Sequence, residues 1–142
     1  MRKTLLILAV VASPLAAQNA PALFDSTRTV PLSPGQWSYS ASATASEARF
    51  GASFSIRCDQ ATRRVTLRPI EDVATPISAL TIGTDLTVRT LAADGVVASN
   101  DAVLDAIAFS RGRFIVIAGG GGSRLVLPAS PEAARSIEDC RN

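Results

Sequence analysis

The sequence contains no histidine. Met1 is its only methionine, Lys3 its only lysine, and there are two cysteines. These gaps remove whole classes of chemistry. Without histidine there is no imidazole for general acid–base catalysis or for a serine or cysteine triad. If the two cysteines are paired, the common zinc and copper ligands are gone as well. No C-x-x-C spacing exists to make a redox dithiol. The expectation is therefore no catalytic residue, no metal site and no cofactor. A run long enough to cross a membrane as a helix is also missing: the apolar stretch 5–12 falls far short of the ~20 residues needed.

What stands at the start of the chain is instructive. Arg2 and Lys3 precede the apolar stretch, and Pro14-Leu15-Ala16-Ala17 closes it with small residues. That order of charge, short apolar run and small residues reads as a secretory signal peptide, 1–17, cleaved after Ala17, with Ala20 as a second candidate. No cysteine follows to carry a lipid anchor. The expected location is the periplasm or the exterior. The formal charge of +2 belongs largely to this leader, for loss of Arg2 and Lys3 leaves 12 basic and 12 acidic side chains. Such a balance gives no electrostatic case for nucleic acid.

Residues 18–34 read as an extended lead-in and 35–142 as one β-rich domain. Trp37, Tyr39, Ala41 and Ala43 alternate with small polar residues over 36–44, the period-two signature of a strand. A second strand spans 48–58, with Ala48, Phe50, Ala52, Phe54, Ile56 and Cys58 on one face, and 45–47 form the hairpin between them. Further strands are expected at 64–68, 78–83, 86–91, 113–118 and 124–127, with loops at 71–76 and 92–99. Asn100 or Asp101 can cap a helix through Phe109 or Ser110, with Val103, Leu104, Ile107 and Ala108 as its apolar stripe. Ser130 caps a last helix with Pro131 at its first position, and Ala134, Ile137 and Cys140 share its inner face. The fold class expected is a small antiparallel β barrel or sandwich of about seven strands, two short helices (one C-terminal) and one disulfide.

Cys58 and Cys140 fall on the apolar faces of a strand and of the last helix, and export permits them to bond. The other polar clusters read mainly as structure. Gly119 to Gly122 form a hairpin loop, since a phosphate cradle would need a following helix and a lysine. Asp101 and Asp105 cap and solvate a helix. Arg57, Arg63, Arg64 and Arg68 make a basic border that keeps strand edges from pairing with strangers. Trp37 and Tyr39 read as core. The best candidate for binding is the corner Arg111-Gly112-Arg113, where two arginine forks around a glycine can hold a carboxylate or phosphate.

Two resemblances follow from these residues. Asp105 to Phe114, Leu125-Val126-Leu127-Pro128 and Ile137 to Arg141, together with Trp37, Arg57-Cys58-Asp59 and Arg63 to Leu67, resemble a family of uncharacterised small exported proteins of Gram-negative bacteria. Phe54 to Asp59 followed by Val65-Thr66-Leu67 is similar to the strand–turn–strand around the first cysteine of the periplasmic lysozyme inhibitors. Those inhibitors are small exported β-barrels, but their serine-glycine-x-x-tyrosine loop is not evident here, so no inhibitory residue carries over. The functional expectation is a non-enzymatic domain that binds a protein or cell-envelope component. A glycosidase inhibitor is the alternative, and a carboxylate-based hydrolase the competing class.

Overall fold

A computed structural model describes residues 20–70, 76–120 and 124–142. The expected leader lies outside them, as do residues 71–75 of one expected loop and 121–123 of the glycine run. Among the described residues, nine strands form two antiparallel sheets, with three helices. The first sheet contains β1 (Trp37–Ala41), β2 (Ala45–Phe50), β3 (Phe54–Asp59), β4 (Arg64–Pro69) and β7 (Val96–Ala98), in the order β1-β2-β3-β4-β7. The second contains β5 (Ala79–Gly83), β6 (Val88–Ala92), β8 (Arg113–Ala118) and β9 (Arg124–Pro128), in the order β6-β5-β8-β9. The packing is a sandwich of two open sheets, which decides between the two architectures expected from the sequence.

The long strand expected at 48–58 is two strands. Gly51 takes a left-handed φ of 52°, Ser53 N–H donates to the Phe50 carbonyl, and the chain reverses. Phe50 then pairs directly with Phe54. Paired residues project to the same face, so the alternation of apolar residues runs through the turn without a break. The segment expected as the hairpin, 45–47, is therefore strand, and the turn falls at 42–44, closed by Ser42 N–H to the Ala45 carbonyl. The ninth strand, β7, was expected to be loop. Its three residues are too few to show a period. It is positioned by Gly95, whose carbonyl accepts from Leu67 N–H and whose φ is 64°. A side chain there would put a Cβ 2.0 Å from the Leu67 carbonyl oxygen.

The lead-in is also corrected. Residues Ala20–Asp25 form a short helix, α1, where an extended chain was expected. Leu23 and Phe24 are buried with Ile115 on the outer face of the second sheet. Gly83 admits Leu23, since a Cβ there would lie 2.8 Å from its Cδ2. The helix ends where Ser26 and Thr27 hydroxyls donate back to the Leu23 and Phe24 carbonyls, 2.7 Å each. With α1 on one side and the core on the other, Phe114, Ile115 and Val116 are all buried, which explains the continuous apolar run of β8.

Helices α2 (Ala102–Ala108) and α3 (Pro131–Asp139) complete the core. Asp101 caps α2 by accepting from Val103 N–H, and Ser130 caps α3 by accepting from Ala133 N–H. α3 packs across β1, β2 and β3 and against α2. Its buried face is Ala133, Ser136, Ile137 and Cys140, so Ala133 replaces Ala134 in the expected stripe. Ser136 Oγ donates to the Ile56 carbonyl, 2.9 Å. Cys58 and Cys140 are bonded, with Cα atoms 5.4 Å apart and a separation of 82 positions in sequence. Trp37 joins the sheets: its ring lies 5.4 Å from Phe50 and 6.2 Å from Phe114, and its Nε1 donates to the Pro128 carbonyl.

Candidate functional site

The turn between β5 and β6 is built by Thr84. Its buried hydroxyl accepts from Leu86 N–H and Thr87 N–H, 3.1 Å each, while Thr84 N–H donates to the Thr87 carbonyl. This closes the turn and pushes Leu86 outward, so β6 begins at Val88 rather than at Leu86. Leu86 is 66% exposed. Across from it, α2 stops at Ala108, and Phe109 at the C-cap is 71% exposed. Between them runs a groove of about 330 Å³, lined by Leu86, Val103, Ala106 and Phe109 with Arg89 and Asp105 at its rim. Both rim charges are engaged: Arg89 pairs with Asp101, and Asp105 with Arg141 at 2.8 Å. The groove is thus apolar at its floor and electrically quiet at its side.

The corner singled out in the sequence adjoins this groove. Leu86 also borders a depression of about 610 Å³ that contains Phe24, Asp25, Arg28, Arg111 and Arg113. The two corner arginines have different partners. Arg113 donates through Nη1 to the carbonyls of Thr27 and Val30, 2.9 Å each. Arg111 is 89% exposed and lies 3.5 Å from Asp85, whose carboxylate also accepts from Arg111 N–H. Gly112, with φ of 80°, turns the chain from α2 into β8 and accepts from Ala129 N–H. Neither arginine caps α2. Three cations face two carboxylates here, Asp25 and Asp85, and Arg113 is directed at neutral carbonyls. The depression therefore carries a net positive charge beside an apolar groove.

The other sequence candidates fall elsewhere. Asp101 and Asp105 do not face a shared cavity: one caps α2 and holds Arg89, the other holds Arg141. Arg63 donates to the Arg141 carbonyl. Glu138 pairs with Arg141 and Asp139 accepts from the Tyr39 hydroxyl. Among the described residues, no three histidine, cysteine, aspartate or glutamate side chains converge as metal ligands would. Gly119 continues the ladder, exchanging hydrogen bonds with Ser78 and Ala79, and Gly120 has φ of 89° close to the Pro76 carbonyl. The sequence reading passed over Leu86 and Phe109, treating both as ends of elements. One signal was present: Phe109 lies off the Val103–Leu104–Ile107 stripe and so points away from the core. No family model, curated protein or solved structure matches this chain.

Proposed function

We propose that this protein is an exported, non-enzymatic binding domain whose partner is another protein, gripped at the groove between the β5–β6 turn and α2. The observation that carries the reading is the pair Leu86 and Phe109. Two large apolar side chains stand mostly in water on opposite walls of one groove. An isolated exposed leucine means little, but paired apolar anchors over a shaped groove mark contact sites. The positive depression that begins at Leu86 selects the partner's chemistry: an apolar side chain flanked by a carboxylate, which would share the exposed Arg28 with Asp25, 2.7 Å away, and Arg111 with Asp85. The disulfide fits an oxidising compartment, and no described helix is long and apolar enough to cross a membrane. Asp101 and Asp105 are engaged in a helix cap and in ion pairs and share no cavity, which weighs against that pair as hydrolase carboxylates.

The test is differential capture. Wild-type protein and a Leu86→Ser, Phe109→Ser double variant are presented with the same periplasmic extract, and retained proteins are compared by mass spectrometry. A protein held by the wild type should be lost by the variant, and its affinity measured in isolation should fall at least about tenfold. The thermal midpoint should not fall, because both side chains are exposed. Equal capture by the two forms would remove the groove as the binding site. If the retained protein is a lysozyme, the inhibitor reading replaces the general one.

A further inference from the structure

The outer face of the first sheet carries a second feature, remote from the groove. Two cross-strand rows lie there side by side. Arg49, Ser55 and Arg68 are directly paired across β2, β3 and β4, and Glu47, Arg57 and Thr66 form the next row. Their side chains point away from the core residues Ala48, Ile56 and Leu67, which alternate with them. All six line a depression of about 450 Å³. Ser55 is the reason it is concave. A small residue is flanked by two long ones, and Arg57 is diagonal to both.

The edge-protection role expected for Arg57 does not apply here. In the order β1-β2-β3-β4-β7, the three strands that carry these arginines are all interior, and β3 is central. Arg49 and Arg57 have no free edge to guard, while β4 runs past β7 at Arg68. Solvating the face is a poor explanation as well, since charges of mixed sign would serve without crowding. Instead three arginines line one depression around a serine, with Glu47 as the carboxylate in its lining. Arg49 lies 3.9 Å from Glu47, the charge of Arg57 is felt by Asp59 two residues along its strand, and among the described residues neither Arg57 nor Arg68 makes a hydrogen bond or a close ion pair. Like charges at neighbouring cross-strand positions repel. An oxyanion between them would relieve that repulsion and take paired hydrogen bonds from the forks.

We infer that this face binds a phosphorylated saccharide, free or as the headgroup of an envelope glycolipid. The arginines account for the phosphate. The hydroxyls of Ser55 and Thr66 and the carboxylate of Glu47 are the groups that hydrogen-bond sugar hydroxyls. The depression falls in the range of small-molecule sites and is far larger than an inorganic oxyanion requires. This site is separate from the protein-binding groove and stands or falls independently of it.

The experiment titrates the isotope-labelled protein with glucose 1-phosphate, inorganic phosphate and glucose, followed by NMR. Saturable shifts at Arg49, Ser55, Arg57 and Arg68 are expected with the sugar phosphate, with tighter binding than either fragment. The Arg57→Gln, Arg68→Gln double variant should weaken that binding at least about tenfold. Arg64→Gln, outside the depression, should leave it unchanged. Co-sedimentation with phosphatidylcholine vesicles, plain or doped with a phosphorylated glucosamine-disaccharide lipid, separates the sources. Retention on doped vesicles alone assigns the glycolipid headgroup, and binding of the free sugar phosphate alone assigns a soluble ligand. If neither probe binds, or if the double variant binds as well as the wild type, the inference is wrong.

Discussion

Tyr39 is the sole tyrosine of the chain, so its titration can be followed by phenolate absorbance without overlap from another. Its hydroxyl donates to Asp139, and Arg135 stacks over its ring at 4.3 Å. The hydrogen bond to Asp139 raises its pKa above the ordinary tyrosine value, burial and the Asp139 charge add to this, and the nearby Arg135 charge opposes it. The hydrogen bond exists only while the phenol keeps its proton. The stability it contributes is therefore complete below the unfolded tyrosine pKa, near ~10, and is lost as pH rises through the higher folded value. Asp139→Asn should bring the midpoint of the phenolate transition down, and the tyrosine-linked loss of stability in alkali should shrink. An unchanged midpoint would mean that the contact does not hold in solution. Asp59 shows the opposite sign. Thr62 gives it a backbone and a hydroxyl hydrogen bond, 2.8 Å each, and these lower its pKa. Its contribution is present above the unfolded aspartate pKa and is lost in acid.

Elements show what the sequence could and could not disclose. The strands with clean alternation, the cap at Ser130 and the stretch of helix after Asp101 were legible because each expresses a local rule at sufficient length. The turn at 51–53 was hidden because pairing Phe50 with Phe54 preserves parity across it. α1 and β7 were hidden because six and three residues are too short for any period, and both are held by distant partners. The same non-local logic governs Arg113. In sequence it pairs with Arg111 as a fork for anions, yet it is used to tie residues 27 and 30 to the start of β8. Arg113→Ala removes two charge-assisted hydrogen bonds, each worth about 1.5–3 kcal/mol when partly shielded. Amides of 23–33 should then exchange with solvent at least tenfold faster, while those of β3 and β8 keep their protection. Uniform acceleration across the molecule would show that the N-terminal segment is part of the global folding unit.

At the scale of the molecule, one bond closes the sandwich. Cys58 lies on the central strand of the first sheet and Cys140 at the end of α3, so the disulfide fastens the last helix, with α2 packed against it, over the inner face of that sheet. Closing a loop of 82 residues restricts the unfolded chain by an amount that the loop-entropy model sets at about 4.5 kcal/mol. Without it, α3 keeps its buried Ala133, Ser136 and Ile137, the hydrogen bond from Ser136 to β3 and that from Tyr39 of β1 to Asp139. Cys140→Ser should lower the unfolding free energy by about 2–5 kcal/mol. The single tryptophan is well placed to report how the loss occurs, because Trp37 touches Phe50 of one sheet and Phe114 of the other. If the disulfide acts through the unfolded state, the variant's native tryptophan emission should match the wild type and only the denaturation midpoint should fall. A reductant should bring wild-type protein to the same midpoint and leave the variant where it is. A shift of native emission on reduction would mean instead that the bond holds the two sheets in register, with the cost arising in the folded state.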